Sequence, residues 1–533
     1  MCLRLTQALG LAALLLALAP EHVLAQGGAK TQPAANDAQA LAARLDKIID
    51  KRLQKEKIKA GPKADDSTLV RRLHIDLTGR IPTLLEIRDY LDNDSPTKWA
   101  KRVDDLLASP LFAANFTHYY RSVLLTGTNN VQAQAIQGQF EGWLHGKLTN
   151  SDGFDKIAHE IVSAPVNRGG FSPSGFAIVN ENKPENLAGA SARVFLGVKI
   201  ECAQCHKHPF AKWTRQQFWE YAAFFSEIQQ QPVQPKPKGG GPVPNKLNRG
   251  EIRIPDSDKI VAAKFITGES PDWKDNPSTR TVLADWMTGP KNPFFAKAAA
   301  DHVWQYFFGV SLTEPVFEPS DDTIPAHPEL LDELAKSFIA SGYDIKFLIK
   351  AVVLTEAYQR ISVSMSQDNR DAINFFAKMP IRGMMPEQLF DCFAEAADFR
   401  QDINFNDPNR TQFRGLAESP RQQFLNKFTS QDKRIETQTS ILQALYLMNG
   451  KLLAEHTKLE NNEALKTIAT APTPTARRVE TLYLMVLSRL PRPDETSKMV
   501  RYIESGGGTN DPAQAVADVF WALLNSSEFM LNH

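Results

Sequence analysis

One five-residue stretch of this sequence has the residue types and the spacing for a defined chemistry. Cys202 and Cys205 are separated by two residues, and His206 follows directly. This spacing is the attachment signature of c-type haem, in which two thiols form thioethers with the haem vinyl groups and the adjacent imidazole ligates the iron. We therefore predict haem c, held by thioethers to Cys202 and Cys205, with His206 as an axial iron ligand.

The sequence does not identify the sixth ligand of such a haem iron. A methionine or a histidine is the usual choice. His208 is a poor candidate, because a residue two positions from His206 on a helix points away from it. The other candidates, among which the sequence does not choose, are Met384, Met385, Met448, His302 and His327.

The same cysteines have three more ordinary interpretations. A pair at this spacing can form a redox-active or structural disulfide, although the strand-turn-helix context of thioredoxin-like proteins is missing here. Cys202, Cys205, His206 and His208 could instead hold zinc, but structural zinc sites usually draw their ligands from two separated segments. The cysteines could also be plain core residues. At the level of sequence all three interpretations stay open.

The residues around the motif follow helical spacing. From Glu185 onward, apolar residues recur at four-residue steps up to Cys202, which predicts one helix with both thiols on its apolar face. Pro209 would end that helix. Thr214 and Gln217 then have the spacing of a capping box for the next helix. The aromatic stripe of that next helix is expected to be ordinary core and consists of Phe218, Tyr221, Phe224 and Phe225.

A second group of polar residues has a structural explanation. Asp321, Asp322 and His327 supply carboxylates and an imidazole, which hydrolytic metal sites use. They also lie just ahead of Pro328, the first position of a predicted helix, where acidic residues favour the positive end of the helix dipole. We favour the helix-start explanation and assign no catalytic residue here.

A short pattern occurs near both ends of the chain. Proline near a first helical turn, followed by an acidic residue, is a helix-start signal, so we interpret the two copies as a duplicated helical unit with a structural role. Arg71, Arg72 and Asp76, just ahead of the first copy, are predicted to form a buried ion pair within that unit. The matching residues are Arg80, Pro82, Glu86 and Phe112 in one copy and Arg489, Pro491, Glu495 and Phe529 in the other.

The composition indicates a globular chain, and its first residues indicate export. The 533 residues, 42% of them hydrophobic, are enough for two or three domains with sizeable cores. Basic and acidic residues number 61 each, so no overall charge favours nucleic acid. Residues 1–25 have the layout of a secretory signal peptide that is cleaved after Ala25, and their apolar run is too short for a permanent membrane anchor. We expect an extracytoplasmic protein, periplasmic or secreted.

Helical spacing dominates the remainder, so the predicted fold class is mainly α, a multi-helix architecture in two parts. Alternating apolar residues over 251–254 and a partner segment over 259–265 predict a short β-hairpin. The common nucleotide-binding, hydrolase and zinc-protease motifs are absent. The predicted segments are a signal peptide (1–25), a disordered leader (26–38), a helical domain with the Cys-x-x-Cys-His motif (39–228), a Pro/Gly-rich linker (229–250), a β-containing connector (251–278) and a C-terminal helical domain (279–533).

Several sequence blocks resemble those of a known family. They lie on both sides of the linker, and together they cover nearly all of the mature chain. The blocks include residues 71–79, 106–110, 195–210, 283–286, 292–295, 303–309, 327–331 and 443–450. They resemble the Planctomycete cytochrome C domain family, joined to its companion C-terminal planctomycete domain of unknown function. The resemblance implies a cytochrome-like haem site at Cys202, Cys205 and His206. It also implies an exported protein of a kind often associated with polysaccharide- and sulfate-ester-degrading systems. Asp301 and His302 depart from the family pattern, which has asparagine-arginine there.

These observations predict an exported c-type-cytochrome-like protein that transfers single electrons through one haem for an extracytoplasmic oxidoreductase system. Its expected partner is a redox protein, with no nucleic acid and no permanent membrane anchor, and the chain is expected not to be an enzyme in its own right. The alternative is a non-haem scaffold or interaction protein of an extracytoplasmic polysaccharide-handling system, with Cys202 and Cys205 joined as a disulfide. A hydrolase or thiol oxidoreductase is a weaker third hypothesis.

Overall fold

The computed structural model describes residues 35–126, 131–165, 172–206, 213–228, 247–273, 278–313, 327–364, 366–399, 405, 419–428 and 450–533. The predicted signal peptide, most of the predicted linker and the predicted helix over 439–448 lie outside these ranges. So do His208, Pro209, Asp321, Asp322 and Met448.

Helices contain most of the described residues, which confirms the mainly α fold class. Among these helices none is both long and apolar enough to cross a membrane. The helices of the first half are α1 (Ala35–Glu56), α2 (Asp66–Thr78), α3 (Leu84–Leu91), α4 (Lys98–Ala108), α5 (Pro110–Leu124), α6 (Val131–Thr149), α7 (Phe154–Ser163), α8 (Gly175–Val179), α9 (Pro184–Leu196) and α10 (Arg215–Ala222). Those of the second half are α11 (Thr279–Thr288), α12 (Phe295–Phe308), α13 (Pro328–Ala340), α14 (Ile345–Leu354), α15 (Arg370–Asn374), α16 (Pro386–Ala396), α17 (Pro420–Phe428), α18 (Lys451–His456), α19 (Glu463–Thr470), α20 (Thr475–Leu487), α21 (Pro493–Glu504), α22 (Pro512–Leu524) and α23 (Ser527–Met530).

The described residues contain three small two-stranded sheets. The predicted hairpin is present as β1 (Glu251–Arg253) and β2 (Ile260–Ala262), which pair antiparallel. A parallel pair, β3 (Ser362–Val363) with β4 (Met379–Pro380), was not predicted. Neither was the antiparallel pair of β5 (Arg382–Gly383) with β6 (Leu531–Asn532), which brings the C-terminus back to the middle of the sequence.

Two hydrophobic clusters fill the interior, and they do not divide at the predicted linker. The larger cluster takes buried residues from α1 through α14, on both sides of residues 229–250. The smaller one runs from Leu389 to Phe529 and also contains Ile75 and Ile81 from the N-terminal region. The two sequence halves are therefore packed into each other, and α1 begins at Ala35, within the predicted leader. The domain boundaries themselves stay predictions.

The duplicated pattern folds into the same local structure in both places. Arg80 Nη1 pairs with Glu86 Oε2 at 2.9 Å at the start of α3, and Arg489 Nη1 pairs with Glu495 Oε2 at 2.8 Å at the start of α21. Each glutamate also accepts a hydrogen bond from the backbone N–H that begins its helix. Such a reach-back bond satisfies an otherwise unpaired amide of the first turn. The structural interpretation of the repeat is thus supported by matching caps and ion pairs.

Candidate functional site

The Cys-x-x-Cys-His motif lies on an exposed turn at the surface of the larger core. A short 3₁₀ helix, Glu201–Gln204, contains Cys202, and Cys205 follows as its last flanking residue. Cys202, Cys205 and His206 are all exposed to solvent. The motif therefore presents its two sulfur atoms and its imidazole outward rather than toward the core.

This arrangement corrects the predicted continuous helix. Helix α9 ends at Leu196 because Gly197 adopts a left-handed conformation with φ of 66°. The N–H groups of both Gly197 and Val198 return to the carbonyl of Ala192, which closes the helix end. Glycine takes this conformation at little steric cost, so it is a common helix terminator. The prediction that both thiols lie on the apolar face of α9 is wrong, and no proline is needed to end the helix.

The turn is fixed to the core by its middle residues. Ala203 is fully buried, and its N–H donates to the carbonyl of Ile200 at 2.9 Å. The carbonyl of Gln204 accepts a hydrogen bond from Trp219 Nε1 at 3.1 Å and one from Arg215 Nε at 3.4 Å. These hydrogen bonds hold the backbone of the turn from two sides. The side chains of Cys202 and Cys205, which flank the held residues, stay exposed to solvent.

Glu201 ties the start of the turn back to α9. Its carboxylate pairs with Arg193 at 3.0 Å, and Arg193 also donates to Thr126 Oγ1 at 3.0 Å. The side chain of Glu201 lies so close to Gly189 that a Cβ added there would be 2.7 Å from Glu201 Cγ. Glycine at this position permits the close approach of the turn to α9.

Helix α10 is present where the sequence predicts a helix, and it contacts the turn of the motif. Thr214 and Gln217 form the expected capping box, with Thr214 Oγ1 accepting from the Gln217 N–H at 3.2 Å. The aromatic stripe is fully buried, which confirms that it is ordinary core. Tyr221 Oη lies 3.2 Å from Ser191 Oγ on α9, so α10 also holds the helix that leads into the motif.

Cys202 and Cys205 are free thiols in this structure, and so is the buried Cys392. Within the described ranges, no three His, Cys, Asp or Glu side chains are grouped so that they could hold a metal ion. The zinc interpretation needs His208 as a fourth ligand, and that residue lies outside the described ranges. What the turn offers chemically is two accessible thiols and an adjacent imidazole.

The candidates for the sixth ligand are spread over the molecule. Met384 Sδ is 3.7 Å from Cys392 Sγ, and Met385 is buried at the start of α16. His327 begins α13, and its Nε2 lies 2.7 Å from the carbonyl of Asn374. Its side chain therefore holds the start of α13 to the segment of Asn374, while the helix-start explanation for Asp321 and Asp322 lies outside the described residues. Burial lowers the pKa of His327 to about 4, against a small raising effect of that hydrogen bond.

His302 is the described candidate that contacts α9, the helix ahead of the motif. Its Nε2 lies 3.0 Å from the carbonyl of Val194. Asp301, beside it, accepts hydrogen bonds from the N–H of Leu312 at 2.6 Å and from Ser311 Oγ at 2.7 Å. Asp301 thus holds the loop that contains Ser311 and Leu312, and His302 contacts the end of α9. These are the two residues that depart from the family pattern.

Asp76 is the centre of a buried polar network, but its partner differs from the predicted one. Arg382 Nη2 donates to both of its carboxylate oxygens at 3.1 and 2.9 Å, while Tyr358 Oη and Asn532 Nδ2 each donate at 2.8 Å. The prediction of an ion pair with the neighbouring arginines is wrong, because those arginines bond backbone carbonyls of the C-terminal half. Arg71 donates to the carbonyls of Val486 and Phe529, and Arg72 donates to those of Tyr358, Arg360 and His533.

Two family models match the chain in the order expected from its motifs. PSCyt2, described as a protein of unknown function (DUF1549), matches residues 44–230, which contain the Cys-x-x-Cys-His turn. PSD1, described as a protein of unknown function (DUF1553), matches residues 279–503. No curated protein and no solved structure matches. The stretch between the two matched regions contains the β-hairpin, and the residues after the PSD1 match contain β6.

Proposed function

Because this chain belongs to the family in which a planctomycete cytochrome C-like PSCyt2 domain is followed by a PSD1 domain, we propose that it is an exported single-haem electron-transfer protein. The observation that carries the proposal is the exposed turn. It presents two free thiols and an imidazole at the attachment spacing, on backbone that is hydrogen-bonded to α10.

The residues of the turn fit a haem of the c type. Covalent attachment needs two thiols that are neither oxidised to each other nor sealed in a core, and Cys202 and Cys205 meet both conditions. His206 would supply the imidazole ligand, and the sixth ligand remains unassigned. When bound, the haem would supply one-electron chemistry at iron. The protein would fix its position through Ala203 and the Gln204 carbonyl.

An exposed attachment turn suits a protein that exchanges electrons with another protein. A haem held at the surface brings its edge within reach of a docking partner, whereas a haem enclosed in the core would be kept from one. We therefore propose a redox protein as partner. The predicted signal peptide, cleaved after Ala25, would place both in an extracytoplasmic compartment.

The experiment is expression with its own leader in a bacterial host that carries a cytochrome c maturation system. A pyridine haemochrome spectrum of the purified protein is expected to show one thioether-bound haem per chain. The double variant Cys202→Ala/Cys205→Ala is expected to carry none. Cys392→Ala is the matched control, because it removes a cysteine from α16 while leaving the attachment turn intact.

Absence of a haemochrome from the wild-type protein, with Cys202 and Cys205 recovered as a disulfide, would contradict electron transfer and support the scaffold alternative. Haem that remains in the double alanine variant would also contradict the assignment, since it would be bound elsewhere. Loss of haem from the Cys392→Ala control would mean that the result reports folding rather than attachment.

A further inference from the structure

The internal duplication allows the same position to be compared in two environments. Ile81 follows Arg80 in the first copy, and Leu490 follows Arg489 in the second. Ile81 is fully buried, whereas Leu490 is 56% exposed. The same position is therefore buried in the first unit and exposed in the second, and the difference depends on what covers Ile81.

Helix α16 covers the first unit. Ile81 lies in the same buried cluster as Leu389 and Phe393 of α16, and its backbone hydrogen-bonds to the Cys392 sulfur. The helix also sends a carboxylate to this face, since Glu395 lies 3.7 Å from the Arg80 guanidinium. The cover of the first unit is therefore an amphipathic helix that carries acidic residues.

The second unit has an open cleft at the corresponding face. A cavity of about 710 Å³ lies between α3, α19 and α20, and its apolar lining consists of Leu91, Ile468, Ala471, Leu484 and Leu490. Leu484 and Leu490 occupy in this unit the positions that Ile75 and Ile81 occupy in the first. The rest of the lining is polar or charged and includes Arg88, Asp92 and Glu480, an arrangement that suits an apolar helix face flanked by charged side chains.

One cation at the rim has no carboxylate partner among the described residues. Arg88, on α3, makes a single long hydrogen bond to Thr481 Oγ1 at 3.4 Å. The other cations nearby are already engaged: Arg477 pairs with Glu480, and Arg478 donates to the carbonyls of Ala469 and Ala471. Arg489 is paired with both Glu495 and Glu528. A carboxylate on the occupant would therefore find its counter-charge at Arg88.

We propose that this cleft docks an amphipathic helix of a partner protein that carries acidic residues beside its apolar face. The helix would lie against the exposed Leu490 as α16 lies against Ile81, beside the already buried Leu484 and with a carboxylate at Arg88. Helix-in-groove recognition of this kind uses apolar anchors at helical spacing, and charge complementarity sets the choice of partner. The inference does not depend on haem at Cys202 and Cys205.

The probe is a synthetic peptide with the sequence of residues 384–398, which contain α16, with Cys392→Ser to prevent oxidation and a side-chain staple on its polar face to hold the helix. Fluorescence anisotropy of the labelled peptide is followed as the full mature protein is added. Saturable binding is expected, weakened about tenfold or more by Leu490→Asp, the loss typical of one buried leucine contact. Leu85→Asp is the matched control, because Leu85 is 78% exposed on α3 and does not line the cleft.

The charge contribution is tested with a second peptide in which Glu387, Asp391 and Glu395 are replaced by their amides. The acidic peptide is expected to bind the wild-type protein more tightly than the amide peptide, and Arg88→Glu is expected to abolish that difference. No saturable binding, or binding that Leu490→Asp leaves unchanged, would overturn the proposal. So would a dimer in sedimentation velocity that Leu490→Asp dissociates, because the occupant would then be a second copy of this chain.

Discussion

Arg382 and Asp76 are 306 residues apart in sequence, yet the Arg382 guanidinium donates two hydrogen bonds to the buried Asp76 carboxylate. Asp76 lies in the PSCyt2 region and Arg382 in the PSD1 region. Asn532, at the end of the chain, donates to the same carboxylate. This contact joins the two family regions and the C-terminus, so the Cys-x-x-Cys-His turn belongs to a molecule held together from both halves.

Removal of Asp76 is expected to destabilise the whole protein. Asp76→Ala leaves the Arg382 guanidinium buried without its counter-charge, and breaking one side of a buried pair costs about 3–5 kcal/mol. Urea unfolding followed by tryptophan fluorescence measures the change. Asp89→Ala is the control, because Asp89 pairs with Arg102 while its side chain is 70% exposed, and such pairs contribute less than about 1 kcal/mol. Equal losses in the two variants would contradict a central role for the Asp76 network.

Thiol reactivity should separate the motif cysteines from the third cysteine. In mature protein made without haem maturation and kept reduced, Cys202 and Cys205 are exposed and should react rapidly with Ellman's reagent. Cys392 is fully buried, and burial raises the pKa of its thiol to about 12, so it should react only after unfolding. Two fast thiols and one slow thiol are expected. A native reaction of all three would show that α16 is not packed as described.

Acid should destabilise the protein through buried histidines, and His118 provides a test. Burial lowers the pKa of His118 to about 4, despite the raising effect of Glu387 and Glu141, while Arg121 and Arg421 lower it further. The unfolded chain takes up a proton on this residue below about pH 6.5, whereas the folded chain does so only near pH 4. Stability is therefore lost as pH falls from 6.5 toward 4.

His118→Leu removes the side chain that takes up this proton. Between pH 6.5 and 4 the free energy of unfolding of the variant should therefore fall less steeply than that of the wild type, by up to about 1.4 kcal/mol per pH unit. Urea titrations at a series of pH values give both slopes. Above pH 7 the two proteins should differ by a constant amount, because the histidine is neutral in both states. Parallel curves from pH 7 down to 4 would show that His118 does not stay neutral in the fold.

The matching caps of the duplicated unit predict matching losses. Glu495→Ala removes the acceptor for the Arg492 N–H and the partner of Arg489 and should cost about 1–2 kcal/mol, in the range of helix N-cap losses. Glu495→Gln keeps an oxygen for the N–H and should lose less. The same two substitutions at Glu86 should give the same order, since Glu86 bonds the Thr83 N–H and Arg80. A reversed order at either site would mean that the cap does not determine the loss.

Local signals in the sequence predicted local structure well. The capping box at Thr214, the hairpin at 251–262 and the repeat around Arg80 and Arg489 all depend on residues within a few positions of one another. The prediction of a continuous helix through Cys202 is wrong. It is based on apolar residues that continue at four-residue steps past Gly197. The left-handed turn at that glycine outweighs the spacing that follows it.

Long-range pairings carried no signal in the single sequence. Nothing near Asp76 indicates that Arg382, Tyr358 and Asn532 would surround it, because the contacts depend on how the two halves pack. The pairing of β5 with β6 has the same origin. For the candidate site, the spacing of Cys202, Cys205 and His206 is the basis of the haem prediction, which stays a prediction, while the exposure of the turn and its bonds to α10 are visible only in the fold.

The intact mass of the mature protein, produced with a cytochrome c maturation system, tests the central claim most directly. The proposal predicts a single species heavier than the chain from Gln26 to His533 by one haem, with Cys392 as its one remaining thiol after unfolding. A species with the mass of the bare chain, or of that chain less two hydrogens with Cys202 joined to Cys205, would contradict it.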